Sequence, residues 1–263
     1  MKILIAVPTY KGLQCGPFFD SLEATVKLLK ANGIESSLGM IIGCSYVQMA
    51  RNGLARQFLE NESFDRLFFF DEDMSWEPEA VLAAIRADKD IVAGVYPMKF
   101  NPIADEATDT SFSVVLYCDD DDGFPLHEGE FLLAKRAMTG FMCIKRGVFE
   151  KMQTAYPEQK YRHRALGEKE AKDWFDFFPQ GVHNGLWFGE DFAFCEQWAK
   201  LGEKIHIMPD ILFGHHGKDR SYYGNFLKYL QQRPGGVNYE KDNEERFYWI
   251  EDHNLGGAIC ELR

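Results

Sequence analysis

Leu67-Phe-Phe-Phe-Asp-Glu-Asp73 decides the fold: four apolar side chains in a row, then three carboxylates. A run that is apolar on both faces fits a strand buried within a parallel sheet, because a half-exposed strand would alternate. Similar runs occur at Lys2–Val7, stopped by Pro8, and at Leu38–Ile42 and Ile91–Val95. Helical stretches separate them. Asp20-Ser-Leu-Glu23 has capping-box spacing and predicts a helix through Asn32, stopped by Gly33. Ser45 can cap a second helix with the stripe Val47, Ala50, Leu54 and Phe58. Pro78 suits the first turn of a third, running to Ala87. This alternation predicts a doubly wound α/β sheet with a mostly parallel core.

Beyond residue 100 the pattern changes. Phe112–Tyr117, Phe131–Ala134 and Phe141–Ile144 read as strands without helices between them, so the sheet becomes mixed. Asp119–Asp122 with Gly123 is a solvated turn. Residues 155–185 are polar, aromatic and irregular, with a basic cluster at Lys160, Arg162 and Arg164. That cluster could meet phosphates, although an exposed basic loop explains it as well. A helix over Glu190–Leu201 ends at Gly202, and Lys204–Met208 is a late strand. Tyr222–Gln232 reads as helical, and the tail after it is polar.

Composition removes several function classes. The chain has 263 residues, of which 46% are hydrophobic and 27% charged, as in an ordinary globular protein. No apolar run approaches the roughly 18–20 residues of a membrane span, and the six apolar residues before Pro8 are too few for a secretory core. With 41 acidic against 29 basic residues the net charge is −12, which disfavours indiscriminate binding to a phosphate backbone. The six cysteines (15, 44, 118, 143, 195 and 260) are scattered singly, which predicts reduced cytoplasmic thiols.

Three constellations can carry chemistry. In an extended segment Asp71 and Asp73 project to one side and Glu72 to the other. Converging carboxylates at a strand end call for a hard divalent ion that also accepts diphosphate oxygens. An acidic turn is the plainer explanation. Position favours the site, since ligands of open α/β sheets bind outside the carboxyl ends of strands. Asp88 and Asp90, which precede a strand, belong at the opposite end. Gly189-Glu190-Asp191 places two acids at a helix start, where capping alone would account for them; either could act as a general base if an acceptor hydroxyl lay near. The preceding Gly185-Leu-Trp-Phe188 could floor a pocket. In His215-His216-Gly217 one imidazole can complete a metal shell begun by two Asp residues. No phosphate-loop, dinucleotide or nucleophile-elbow motif is present.

Taken in order, Ile5-Ala-Val-Pro-Thr-Tyr10, Ala50-Arg-Asn52, Phe68-Phe-Phe-Asp-Glu-Asp73, Asp90-Ile-Val-Ala-Gly-Val-Tyr-Pro97, Thr139-Gly-Phe-Met-Cys-Ile-Lys-Arg146, Gly189-Glu-Asp-Phe192 and His215-His-Gly217 resemble glycosyltransferases of the GT-A fold, family-two-like enzymes of bacterial or viral type. The resemblance implies an α/β/α sandwich. It implies a catalytic domain over 1–225, with a nucleotide-sugar half (1–100) and an acceptor half (101–225). Residues 226–263 match nothing and read as a helical or irregular tail.

Carried over residue by residue, Pro8, Thr9 and Tyr10 hold the nucleobase and ribose, and Arg51 faces the nucleotide. Asp71 and Glu72 contact the donor. Asp71, Asp73 and His215 bind manganese or magnesium. Asp191, with Glu190 beside it, serves the acceptor. Glu at the centre of the D-x-D element fits the loose form of the motif. The implied donor is UDP- or GDP-linked and the acceptor a glycan or modified DNA. The implied location is cytoplasmic, in the host if the chain is viral. A nucleotidyltransferase acting on a sugar phosphate is the rival enzyme, and a silent sugar-nucleotide or glycan-binding module the rival of another class.

Overall fold

The computed structural model of the protein describes residues 1–13, 15–99, 111–121, 123–165, 167–183, 185–232, 237–240, 246–249 and 261–262. Asp122, Cys260 and most of the tail beyond 232 lie outside the described residues. The first part alternates as the apolar runs require: β1 (Lys2–Thr9), α1 (Gly16–Ala31), β2 (Glu35–Ile42), α2 (Val47–Glu60), β3 (Arg66–Phe70), a short β4 (Met74–Ser75), α3 (Pro78–Arg86) and β5 (Ile91–Gly94). Then come β6 (Val114–Leu116), β7 (His127–Glu128), β8 (Phe131–Ala137), β9 (Phe141–Lys145) and α4 (Arg146–Ala155). Two hairpins follow, β10 (Lys160–His163) with β11 (Lys172–Phe175), and β12 (Gly181–His183) with β13 (Leu186–Phe188). Next are α5 (Glu190–Lys200), β14 (Ile205–Met208), β15 (Leu212–His216), β16 (Ser221–Asn225) and α6 (Phe226–Gln231). β17 (Val237–Glu240), β18 (Arg246–Trp249) and β19 (Glu261–Leu262) complete the described chain.

The main sheet runs β19-β6-β8-β14-β5-β9-β3-β1-β2. β1 is parallel to β2 and β3, β14 is parallel to β5, and β9 lies antiparallel between β3 and β5. Five strands, β2, β1, β3, β5 and β14, therefore point their carboxyl ends the same way. The sheet is mostly parallel and partly mixed.

Helices cover both faces. Leu54 and Phe58 of α2, Phe149 of α4 and Trp198 of α5 pack on Leu4, Ala6, Leu67 and Phe69. Phe18 and Leu22 of α1 and Val81 and Ile85 of α3 pack on Ile3, Ile5, Phe68 and Phe70. Alternate residues of one strand thus serve opposite layers, which is why Leu67–Phe70 must be apolar throughout. The architecture is an α/β/α sandwich.

Several sequence expectations are corrected. α1 begins at Gly16, with Pro17 in its first turn, so Asp20–Glu23 lies inside the helix. Ser21 is buried there and its hydroxyl donates to the Trp76 carbonyl at 3.0 Å. Tyr46, not Ser45, occupies the N-cap of α2. Residues 155–185 are irregular only in part, since they hold the β10–β11 pair and the first strand of β12–β13. Lys160 pairs with Asp173, and Arg162 donates to the Ala171 carbonyl, so two members of the basic cluster are spent within the first hairpin.

Ser221–Asn225 is a strand that pairs with β15, and the helix expected from Tyr222 starts only at Phe226. The tail also holds strands: β17 pairs with β18, and β19 joins the main sheet beside β6. Phe226, Leu227, Leu230 and Val237 bury in the α2 layer, so residue 225 marks no boundary of the core. Cys118 is disulfide-bonded, which overturns the expectation of six reduced thiols; Cys15, Cys44, Cys143 and Cys195 are free. Among the described residues no helix is long and apolar enough to cross a membrane.

Candidate active site

A cleft of about 640 Å³ opens where β1 and β3 end. Nine of the ten residues singled out from the sequence line it: Pro8, Thr9, Tyr10, Arg51, Asp71, Glu72, Asp73, Glu190 and His215. Asp191 is the exception. Register explains the convergence. β1 and β3 are parallel neighbours, so Pro8–Tyr10 and Asp71–Asp73 leave the sheet at the same edge. Asp88 sits at the opposite end, paired with Arg66 at the start of β3.

Asp71, Glu72 and Asp73 all line the cleft, although an extended segment would send Glu72 the other way. The chain turns at once, with Met74 N donating to the Asp71 carbonyl at 3.2 Å. Asp71 is claimed on both oxygens. Arg51 Nη2 donates to Oδ1 at 2.8 Å and Tyr96 Oη to Oδ2 at 3.3 Å. Gly140 closes this unit. Its N–H donates to Tyr96 Oη at 3.1 Å, and its carbonyl accepts from Asp71 N at 3.1 Å. A Cβ there would lie 2.4 Å from Tyr96 Oη and 2.5 Å from Asp71 Oδ2, so only glycine fits. Both Asp71 oxygens are thus occupied, by Arg51 and Tyr96. Glu72, expected to point away, lines the cleft instead. Burial, then the charge of Asp73, pushes its carboxyl above the ordinary value.

Arg51 is 3% exposed and also donates through Nε to Glu190 Oε1 at 3.4 Å. Burial works against its charge, but Asp71 and Glu190 outweigh burial and hold the guanidinium above its usual value. One cation thereby ties the end of β3 to the start of α5.

His215 meets Asp73 through strand pairing. β15 runs antiparallel to β4 with His215 opposite Met74, and His216 N donates to the Asp73 carbonyl at 2.7 Å. His215 Nδ1 lies 2.7 Å from the Pro97 carbonyl. That carbonyl can only accept, so Nδ1 carries a proton, and Nε2 faces Asp73 Oδ1 at 3.4 Å. His216 points elsewhere, to the hydroxyls of Ser75 and Ser221. The other Asp73 oxygen, Oδ2, accepts from Lys99 Nζ. Burial alone would raise the Asp73 carboxyl, but its contacts with His215 and Lys99 win and hold it below the usual range.

Four buried polar atoms of cleft residues have no hydrogen-bond partner: Thr9 Oγ1, Arg51 Nη1, Glu72 Oε2 and Asp73 Oδ1. Buried polar groups are nearly always paired, so such a concentration marks a place where a polar ligand completes the bonding. For a divalent cation, Asp73 Oδ1 and His215 Nε2 form a fitting pair of donors whose other positions substrate oxygens would fill. Among the described residues no group of three His, Cys, Asp or Glu side chains is assembled to hold a metal ion.

Glu190 and Asp191 open α5, where the helix dipole favours both charges, and they divide the work. Glu190 faces the cleft and is paired with Arg51. Asp191 accepts from Phe192 N at 2.7 Å and, among the described residues, has no cation paired to it. Burial, then the charge of Glu190, pushes its carboxyl up to about 6. In the segment before them, Leu186 and Trp187 stand 64% and 63% exposed on the β12–β13 hairpin.

No protein-family model matches the sequence, and a search of curated proteins finds no match. Solved structures do match, at low identity. A197 from STIV aligns at 19% identity over 84% of this chain and 88% of its own, with a TM-score of 0.48. The inositol-1-phosphate CTP transferase from T. maritima aligns at 10% over 81% of this chain and 88% of its own, TM-score 0.38. S. aureus TarS 1-349 aligns at 12% over 86% of this chain and 61% of its own, TM-score 0.35. These are distant likenesses. The α/β/α assignment rests on the strand order and the two helical layers.

Sequence reasoning quoted Tyr96 and Pro97 within a motif but gave them no role, and it did not single out Lys99. Tyr96 binds Asp71, the Pro97 carbonyl orients His215, and Lys99 binds Asp73. The segment's available signal was its place directly after β5, at the carboxyl edge of the sheet.

Proposed function

We propose that this chain is a metal-dependent glycosyltransferase that moves a sugar from a nucleotide-sugar, UDP- or GDP-linked, to a hydroxyl of a glycan or a modified DNA base. The observation that carries the reading is Asp73 Oδ1, a buried oxygen with no hydrogen-bond partner, facing His215 Nε2 at 3.4 Å at the carboxyl edge of the sheet. The ordered resemblance of the sequence motifs to GT-A enzymes supports it from a second side.

In this reading Pro8, Thr9 and Tyr10 form the wall for nucleobase and ribose, with Thr9 Oγ1 and Arg51 Nη1 as unused polar groups that face the donor. A divalent cation held by Asp73 and His215 would supply Lewis-acid stabilisation of the diphosphate as it leaves. The bond that breaks joins the anomeric carbon to a diphosphate oxygen, and its electron pair stays on that oxygen. The bond that forms joins the same carbon to the acceptor oxygen. Asp191 takes the acceptor proton. A carboxyl near 6 is ionised at neutral pH yet basic enough to accept a proton in the transition state. Glu190 acts through Arg51, fixing the start of α5 against Asp71.

The test is a screen of nucleotide-sugars with manganese, read by mass spectrometry. Release of a nucleoside diphosphate with transfer or hydrolysis of the sugar, abolished by a chelator, is the expected outcome. Pyrophosphate released from a nucleoside triphosphate and a sugar phosphate would favour the nucleotidyltransferase instead. Binding without turnover of any donor would leave a recognition module.

A further inference from the structure

The cleft is short of positive charge for a diphosphate. Asp71, Glu72, Asp73 and Glu190 line it, and Arg51 is the one Lys or Arg among the described residues that line it. Two of the Arg51 nitrogens are already given to Asp71 and Glu190. Lys99 brings a second cation to the same carboxylates through Asp73 Oδ2. Its backbone is anchored: Met98 N donates to the Ser111 carbonyl at 2.8 Å, and Pro97 bridges to Phe112. Its side chain is one-third exposed, so the ammonium can swing without unpacking the core.

We infer that Lys99 is a diphosphate-binding group, parked on Asp73 in the free protein and turned onto the donor when Asp73 binds a divalent cation. This rests on the nucleotide-sugar reading above. The diphosphate of a nucleotide-sugar carries two negative charges, which one divalent cation matches. When the bond to the sugar breaks, the electron pair adds a third charge. A nearby ammonium is then worth more in the transition state than in the ground state, which is what raises a rate. Asp73 holds Lys99 less firmly once its charge is shared with a metal, and the diphosphate becomes the nearest free anion.

The test compares wild type, Lys99→Met and Lys99→Arg by calorimetry, first with manganese alone and then with UDP or GDP at saturating manganese. Lys99→Met should bind manganese alone several-fold tighter, because the competing ammonium is gone. It should bind the nucleoside diphosphate about tenfold or more weakly, as expected for a lost charge-assisted contact to phosphate. Lys99→Arg should recover most of that affinity. A lysine that only braces the fold would lower the melting temperature and leave both affinities unchanged, which overturns the inference. Two affinities moving in the same direction overturn it too. If the wild type binds neither UDP nor GDP with manganese, the nucleotide-sugar reading itself fails and takes this inference with it.

Discussion

Residues 1–99 bring Thr9, Arg51, Asp71 and Asp73 to the cleft from core strands and a buried helix. Residues 111–232 bring Glu190 to it on a helix start, with Asp191 next to it, and His215 on β15, a strand outside the main sheet. In the first region the functional groups are also structural: removing Arg51 would strand two carboxylates. In the second, Glu190 is paired with Arg51, His215 faces Asp73, and Asp191 has no cation paired to it among the described residues. In the proposed reading, a donor wall tied into the fold faces Asp191, the group with the least structural commitment. Mutations in the two regions should therefore separate stability from rate.

The largest expected effect falls in the second region. Asp191→Asn should lower transfer by about 10²–10⁴ while nucleotide-sugar binding stays near normal, as for loss of a general base. Glu190→Gln should be milder. In the wild type the rate should rise with pH through about 6, where the Asp191 carboxyl ionises, and that limb should vanish in Asp191→Asn. Stability carries the opposite sign. Burial raises this carboxyl from its ordinary 3.8, so its charge costs stability, fully so above about 6. Asp191→Asn should melt higher than wild type at pH 8, and the gain should shrink toward pH 4. Equal rates with and without the carboxylate would leave Asp191 as a helix-start residue only.

Next is Arg51→Met, which should cost about 3–5 kcal/mol of stability in denaturant unfolding, because it leaves buried carboxylates unpaired. A loss below 1 kcal/mol would erase the contrast between the regions. Third, His215→Ala should weaken manganese binding about tenfold to a hundredfold, and His216→Ala much less, since His216 is held by two serines. The reverse ranking would place the metal on the other face of β15. The smallest effect is Trp187→Ala, which should change stability by no more than about 0.5 kcal/mol, as for an exposed side chain.

Much of the donor wall was legible because burial on both faces leaves an unmistakable apolar run, as in Leu67–Phe70, and because carboxylates at a strand's end have few reasons to be there. Less of the remainder was. Asp20–Glu23 imitates a capping box, but Pro17 starts the helix a turn earlier. Glu72 joins Asp71 and Asp73 in the cleft because the chain turns there, and spacing alone cannot show a turn. The hairpins of residues 160–188 are strands of three or four residues, too short for a clear period. Lys99 and Tyr96 gain their roles from contacts 25 or more residues away in sequence. Asp191 was placed correctly at the head of α5, but its separation from the cleft lining depends on which way the first turn faces.

The measurement that bears most directly on the whole account is the affinity of the wild type and of Asp73→Ala for UDP and GDP, each with manganese and with a chelator. The account predicts that one of the two nucleotides binds the wild type only when manganese is present, and that Asp73→Ala, still folded, has lost that dependence along with the affinity. Binding by the wild type that is equally tight in chelator, or unchanged in Asp73→Ala with manganese, would contradict it.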